Sequence, residues 1–557
     1  MDQGRSNSRT ASWRATLTCA GVLICMGTLA RGADAPPPDA LRVRGILDRD
    51  TLWSGHVLIT DDTSVLGATL TIAAGTFIEF AAAPNRARGP TLTIGSQTGL
   101  PGWLTITSTH DRPIVIRTRE GRPNGAMVIH ARSLDQRRRA AGTDENSFGL
   151  EIAHFAFECL GNADRPAVEL ILNDPDKSVE VYDCTFDQCG RFRVVTIGPA
   201  LVDFSHNRMT RPAGAVALEF DRTTRYIAAA TQRPMLAQSD ESSLTIHENH
   251  IAGVIRCVGV PIEIRDNVLI GASAGVLLEG DSGGRAVLQN NYVHRTSQQV
   301  SDGGSCLDCR DPSANILNNV FRGGSVVVAR GSRFMSNNVM IAAMEMTTEQ
   351  GRRVPARSLV DHLPAGATFE YNLLMGEADT MLRIGQPAVA PYGDDRTDRP
   401  GDAGVTIIRN NTFDGGPMGS RGVVLSEAAV CEVYDNVFSS TFPAVVDETL
   451  GAAKIRVLDF NARDATAERA YRKVRLPDGA TPGIRDVQIA PGAFANRSGL
   501  LQHLGELEKS LAGEQIGAAT AYIRIRARFA PPPGSPVIAA GRPDERGARR
   551  TIGAMEP

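Results

Sequence analysis

The sequence predicts an all-β solenoid in which short strands stack coil upon coil, closed by a C-terminal segment that contains a helix. Two observations carry the prediction. A pattern of apolar, any, apolar, two polar residues, Asn, any, apolar recurs from Leu244 to Ile251, Ile262 to Leu269, Ala286 to Val293 and Ala314 to Phe321. Each copy alternates with period two, breaks at the polar pair plus Asn and resumes alternating, as two short strands joined by a tight bend do. No copy of this size can bury its own apolar face, so the copies must stack.

The landmark asparagines are Asn207, Asn249, Asn267, Asn291, Asn319, Asn338, Asn372, Asn411 and Asn436, with earlier copies centred on Phe155 and Cys184 and spacings of 18 to 42 residues. Asn suits the bend because it tolerates the left-handed backbone region better than other non-glycine residues. Stacked about 4.8 Å apart, the copies would bury a ladder of Val, Ile, Leu and Phe. The asparagines would then hydrogen-bond from coil to coil.

In chain order, residues 1–32 read as a secretory signal peptide: Arg5, Arg9 and Arg14 precede an apolar stretch from Ala15 to Leu29, then the small residues Ala30 and Gly32. An uncleaved anchor is the competing reading, on a run that is short for a span. Residues 33–120 hold an N-terminal cap and the first coils. Residues 121–148 are polar, carry Arg137, Arg138 and Arg139, show no periodicity and read as an exposed loop. Residues 149–445 form the core of the stack. Residues 446–557 are the capping region: the Asn pattern stops, and Leu500, Leu501, Leu504, Leu507 and Leu511 fall at helical spacing. One amphipathic helix is expected there, covering the last coil and its open edge.

Composition narrows the function classes. The 557 residues carry 59 Lys+Arg and 62 Asp+Glu, a formal charge of −3, and removing residues 1–32 takes away four arginines and one aspartate. A mildly acidic chain has no electrostatic footprint for nucleic acid. Past the leader no run is long and apolar enough to span a bilayer. The chain is expected to be secreted, periplasmic or on the cell surface, as a monomer.

Seven cysteines follow the leader: Cys159, Cys184, Cys189, Cys257, Cys306, Cys309 and Cys431. An odd number leaves at least one unpaired. Cys306 and Cys309 have the spacing of a zinc half-site, a redox pair or a tight disulfide, but no second pair at ligand spacing accompanies them. Cys431 falls at an inward strand position and reads as a small buried hydrophobe. No cofactor is demanded by the pattern; acidic residues are plentiful enough for calcium, without an EF-hand-like loop to order it.

These coils resemble the right-handed parallel β-helix proteins of the pectate-lyase-like superfamily, secreted bacterial type, whose coils have about this length and carry stacked asparagines at one turn. Trp53 to Ile59, Gly67 to Phe80 and Arg112 to Ile116 are similar to their opening coils, and Gly534 to Gly541 with Thr551 to Glu556 to their closing segment. The resemblance implies a right-handed parallel β-helix over most of residues 45–557. It leaves activity open, since this architecture hosts lyases, hydrolases, esterases, adhesins and stalks.

A further strand follows the second half of each repeat. Long insertions at 221–241, 348–366 and 386–404 are expected to leave one edge of the stack and wall that sheet. Its outward residues would make a mixed-charge stripe of Glu219, Glu279, Asp308, Arg310, Arg330, Glu345, Arg383 and Glu427. Glu279 and Asp308, on neighbouring coils, would supply the two carboxylates of glycoside hydrolysis. Arg310 and Arg330 would supply cations that neutralise a uronic acid during elimination. Glu219, Glu345 and Arg383 would contact substrate, with His294 and Arg295 as a base beside a cation. The simpler alternative is a solvated charged face. Lys177, Lys454, Lys473 and Lys509 are the only lysines and none falls on this sheet, which disfavours a lysine-dependent alginate lyase; the Gly-His-Gly motif of polygalacturonases is absent. The expected function is polysaccharide binding along one sheet, with polysaccharide lyase or glycoside hydrolase activity left open. The competing class is a non-catalytic envelope, adhesion or structural protein.

Overall fold

The computed structural model describes residues 39–81, 88–96, 100–119, 124–130, 149–172, 178–196, 201–222, 243–280, 286–296, 304–311, 314–328, 334–342, 356–385, 404–416, 419–425, 430–441, 445–447, 454–464, 470, 471, 474, 476, 481–490, 500–531, 533–544 and 546–554. The signal peptide, Arg137 to Arg139, Arg330, Glu345 and Glu427 lie outside the described residues.

Each coil contributes one strand to each of three parallel sheets. Sheet 1 has 12 strands, from Gly149–Ala153 to Lys454–Asp459. Sheet 2 takes the short strands after the landmark residues, from Phe155–Glu158 through His250–Ile251 to Ala462–Arg463 and Val487–Gln488. Sheet 3 takes the next strand of each coil, among them Val168–Leu172, Val216–Asp221, Val254–Val258, Gly275–Glu279 and Ser305–Cys309. A parallel strand has to find its partner a full coil later, so every pairing joins one coil to the next, as Leu244 to Ile262 and Ile251 to Leu269 do. The result is the parallel β-helix that the repeat predicts.

The landmark asparagines form one column. Asn207, Asn249, Asn267, Asn291, Asn319, Asn338, Asn372, Asn411 and Asn436 are at most 1% exposed. From Asn249 on, each Oδ1 accepts the backbone N–H and the Nδ2–H of the asparagine one coil earlier, while Asn207 Oδ1 accepts the Cys184 N–H: Asn291 gives Asn319 bonds of 2.9 and 3.0 Å, and Asn319 gives Asn338 bonds of 3.0 and 3.1 Å. The remaining Nδ2 proton goes to strand carbonyls, as from Asn319 to Leu288 and Leu317.

Two details differ from the sequence expectation. The left-handed residue is the one before the landmark: Glu248, Asp266, Asn290, Asn318, Asn337, Tyr371, Asn410 and Asp435 have φ of 53–59°. The landmark asparagine is there for its amide. The column also runs one coil past residue 446, because Asn436 donates to Asn461 at 3.0 and 3.1 Å and Asn461 donates its N–H to Asp486 at 2.9 Å.

Two residues after each landmark, the side chain points inward. Phe157, Phe186, Met209, Ile251, Leu269, Val293, Phe321, Met340, Leu374, Phe413 and Phe438 register in one buried line. Phe157 and Phe186 stack with centroids 4.7 Å apart, and Phe413 and Phe438 at 4.9 Å. Each such side chain contributes roughly 1.5–3 kcal/mol of burial.

One residue after each landmark, the side chain points outward, and Val268, Tyr292, Val320, Val339 and Leu373 are apolar there. That face needs a cover. It receives two helices, α1 (Leu500–Ala512) and α2 (Ala518–Ala527), through Leu500, Leu504, Leu507, Leu511, Ala521 and Ile525. The expected single helix over the last coil is therefore corrected: a helical pair lies along the side of sheet 2. The closing segment continues the cover, with Val537 and Ile552 packed on Val437, Ala462 and Ile489. Among the described residues no helix is long and apolar enough to cross a membrane.

Two more expectations change. Ala126–His130, placed by the sequence in an exposed loop, is a strand of sheet 3 paired with Val168–Ile171. The insertion expected over 348–366 contains Ala356–Leu363, a strand of sheet 3. The chain before it follows the sheet 2 strand Val339–Ile341, so it enters sheet 3 from the opposite edge to the chain that leaves Val216–Asp221 and Ala378–Ile384. The three insertions do not share one rim, and the walls expected from 221–241 and 386–404 lie almost wholly outside the described residues.

The column makes a contrast that unfolding can read. Asn319→Ala leaves the N–H groups of Asn291 and the carbonyls of Leu288 and Leu317 without partners, and should cost at least about 3 kcal/mol in urea unfolding. Asn318→Gly, at φ 56°, should change stability by less than about 1 kcal/mol. Equal effects would show that the amide column carries no stability.

The tail gives a pH dependence. Asp435 Oδ1 accepts the Arg542 N–H at 2.6 Å, and burial pushes this carboxyl up to about 6, against the pull of that N–H and of the Arg542 and Arg550 charges. The folded value exceeds the ordinary 3.8, so the folded chain holds more protons between the two. The contribution to stability is therefore lost as pH rises from about 4 to 6. Asp435→Asn should raise the melting temperature at pH 7 and leave it nearly unchanged near pH 3.5; an equal shift at both would contradict the assignment.

Candidate functional site

Alternation puts every second side chain of a strand on the outer face, and on sheet 3 the outward positions carry charge. Glu169, Arg193, Glu219, Arg256, Leu277 and Asp308 are in register on successive coils. Asp221, Val258 and Glu279 form the neighbouring line, with Arg310 just past the strand end.

These groups join into one lattice. Arg193 reaches Glu169 at 3.0 Å and Asp221 at 2.8 Å, and Arg256 reaches Glu219 at 2.8 Å and Glu279 at 2.7 Å. Arg310 holds Asp308 at 2.8 Å and stands 3.8 Å from Glu279. Arg191 and Arg193 also bring Nε within 2.6 and 3.4 Å of Glu219 Oε2, as charge contacts outside hydrogen-bond alignment. Three guanidinium groups thus converge on Glu219, whose side chain is only 4% exposed.

The arginines are held firmly protonated. Burial works against Arg193 and Arg256, and their carboxylate partners more than offset it; the Asp308 hydrogen bond raises Arg310 directly. Exposure increases along the lattice, from 18% for the Arg193 side chain through 37% for Arg256 to 54% for Arg310. A ligand can therefore reach Arg256, Glu279, Asp308 and Arg310, while Glu219 anchors the lattice from beneath.

Of the residues singled out by sequence, Glu219, Glu279, Asp308 and Arg310 come together here. Glu279 and Asp308 share one guanidinium, so a sugar oxygen reaching both carboxylates would have to displace Arg310. Arg383 stands apart, 3.7 Å from Asp361 and beyond Val327, which interrupts the stripe. His294 and Arg295 belong to sheet 2. His294 Nδ1 lies 2.7 Å from Glu508 of α1, which also accepts a hydrogen bond from the Tyr292 hydroxyl at 2.8 Å and is paired with Arg322. This imidazole fastens a helix instead of facing the charged stripe.

Glu169, Arg191, Arg193, Asp221 and Arg256 were missed, although Glu169, Arg193 and Arg256 are charges set between apolar residues in a strand. A second cluster was missed because its members are far apart in sequence. On sheet 1 and its corner, His247 Nε2 meets Asp203 at 3.0 Å, His247 Nδ1 stands 3.4 Å from Glu248, and His206 Nε2 meets Glu248 at 3.0 Å. The two rings are 5.9 Å apart.

The seven cysteines are free thiols. Burial pushes Cys184, Cys189 and Cys431 up to about 12 and Cys306 to about 11, which makes them inert. Among the described residues no group of three or more His, Cys, Asp or Glu side chains is arranged to hold a metal ion. No family model matches the chain, and no curated protein or solved structure matches it either.

Glu219 tests whether the lattice is one interacting body. Glu219→Ala leaves Arg191, Arg193 and Arg256 without their shared counter-ion and should lower unfolding stability by about 3 kcal/mol. A loss below about 0.5 kcal/mol in denaturant titration would mean the charges act independently.

Proposed function

We propose that the protein binds a polysaccharide along sheet 3 and does not turn it over. The observation that supports this reading is the lattice itself. Arg193, Arg256 and Arg310 fall on alternate coils, about 10 Å apart by strand spacing, with carboxylates on the coils between. Such a face offers rigid, alternating charge-assisted donors and acceptors to rows of sugar hydroxyls.

The charge balance favours hydroxyl recognition over recognition of a polyanion. Five carboxylates, Glu169, Glu219, Asp221, Glu279 and Asp308, meet four guanidinium groups, Arg191, Arg193, Arg256 and Arg310. No net positive field remains to hold a polyanion. Occupied carboxylates likewise support binding over acid–base catalysis, because neither Glu279 nor Asp308 faces the sugar without Arg310 between them. Membership of the pectate-lyase-like superfamily is proposed on the coil length and the Asn column, and export on the leader.

Affinity electrophoresis through gels of neutral and acidic polysaccharides tests the reading. At least one neutral polysaccharide should retard the protein at both low and high salt. Asp308→Ala combined with Arg310→Ala should weaken retardation at least tenfold while the melt stays close to wild type. Retention of polyanions alone, lost at high salt, would overturn the proposal, as would release of reducing or unsaturated ends.

A further inference from the structure

One member of the charged row on sheet 3 is apolar. Leu277 is half-buried, with Arg256 in register on the coil before it, Asp308 on the coil after it and Glu279 two residues along its own strand. Gly275, two residues the other way, adds no side chain, and the half-buried Val254 and Val258 lie on the preceding strand opposite Gly275 and Glu279. Leu277 is thus an apolar floor with charge on three sides.

The rim of this floor holds hydrogen-bonding capacity in reserve. Arg256 donates Nε–H to Glu279 Oε2 at 2.8 Å, and Arg310 gives its Nε and Nη2 protons to Asp308 at 3.2 and 2.8 Å. Arg310 Nη1 stands 3.8 Å from Glu279 Oε1, beyond hydrogen-bond reach. Among the described residues neither of these two atoms has another hydrogen-bond partner. A donor and an acceptor therefore face each other across a gap that one hydroxyl can fill, accepting from Arg310 and donating to Glu279. The Arg310 N–H, bonded to the Leu278 carbonyl at 2.8 Å, fixes that residue at the strand end.

An apolar floor inside a polar rim complements a pyranose ring whose hydroxyls are equatorial, because the C–H face rests on the floor and the hydroxyls leave at the edge. The stack also constrains the linkage. Arg193, Arg256 and Arg310 recur on every second coil, about 10 Å apart along the stacking direction. Sugars joined through equatorial bonds at opposite ends of each ring form an extended ribbon of the cellulose type, which repeats every two rings over about that length. Glucans with other linkages wind into helices and leave such a row after a few sugars.

We propose that the ligand is a cellulose-type ribbon of equatorially hydroxylated sugars running along the stack, one ring seated on Leu277 and one of its hydroxyls bridging Arg310 Nη1 and Glu279 Oε1. This rests on the reading that sheet 3 binds a neutral polysaccharide and names its class.

Affinity electrophoresis of the full chain tests it with glucans that share one sugar and differ in linkage: hydroxyethylcellulose, glycogen and laminarin. Hydroxyethylcellulose should retard the protein at least tenfold more strongly than the other two. Leu277→Ser disturbs no ion pair, so it should keep the wild-type melting temperature and weaken that retardation at least fivefold, while Leu277→Met should preserve it. Retardation by glycogen or laminarin as strong as by hydroxyethylcellulose would overturn the ribbon and leave polysaccharide binding standing. Equal retardation of Leu277→Ser and wild type would overturn the ring floor. No retardation by any neutral polysaccharide would overturn this inference and the binding reading together.

Discussion

A buried amide column is the constraint on which the other features of this stack depend. An asparagine side chain buried without partners costs several kcal/mol, yet here every Oδ1 from Asn249 to Asn461 accepts two N–H groups and every Nδ2 reaches another amide or a carbonyl. Those bonds form only when successive coils sit one strand spacing apart with landmarks aligned. Coil lengths between landmarks vary from 18 to 42 residues, and the column absorbs none of that variation. The extra residues leave at corners, so the sheets stay in register. The column ends where its chemistry ends. Cys184 offers a thiol to the Ile152 and Tyr182 carbonyls, as an amide would, but has no Oδ1 to receive an earlier coil. At the other end Asp486 supplies the last acceptor, steadied by Arg463 at 2.8 Å and the Tyr471 hydroxyl at 2.6 Å.

With the interior fixed, the three outer faces differ by composition. Sheet 2 is apolar inside and, from Val268 to Leu373, apolar outside as well, where α1 and α2 cover it, while the closing segment covers Val437 and Ala462. Sheet 3 is apolar inside and ionic outside. Sheet 1 carries the imidazole–carboxylate chain of Asp203, His247, Glu248 and His206. Only the last two faces are left to a ligand, and sheet 3 has the more regular array because most of its charges lie within strands, where backbone pairing sets their spacing. Glu508 shows how the cover is specified: it receives Tyr292 and stands against His294 and Arg322 from two coils of sheet 2, and these contacts hold its carboxyl below the usual range despite burial.

The stack and its column were legible because period-two alternation and a fixed Asn leave a local imprint. What escaped has physical reasons. The position after each landmark reads as arbitrary across the whole set, since it is Arg208 and His250 in early coils. It turns apolar at Val268, Tyr292, Val320, Val339 and Leu373, and that switch marks where the helices dock. Asn461 was missed because a bulge inserts Arg456 between Ile455 and Val457, which breaks the alternation that flags a copy. The insertion at 348–366 was misplaced because strand Ala356–Leu363 has the ordinary composition of a corner, and only its partners reveal its sheet. His206 and His247 are neighbours through the 42-residue coil between Asn207 and Asn249, a proximity that no local pattern records. The charged stripe was half legible: Glu219, Glu279, Asp308 and Arg310 stood out, whereas their pairing partners, Arg256 among them, depended on register.

The two ends of the stack are treated differently. At the C-terminal end Asp459 and Asp486 are occupied within the chain. Arg485 binds Asp459 at 2.6 Å and lies over the Phe460 ring at 4.1 Å, while Arg463 and Tyr471 enclose Asp486. Charges committed in this way cannot also complement another molecule's edge. At the first coil Arg42, Arg44, Asp48 and Arg49 are exposed, and among the described residues strand Leu41–Leu47 pairs with His56–Val65 alone. A solenoid open at both ends would stack head to tail without limit. Here Asp459 and Asp486 are already held by Arg485, Arg463 and Tyr471, which withdraws the last coil's carboxylates from such stacking.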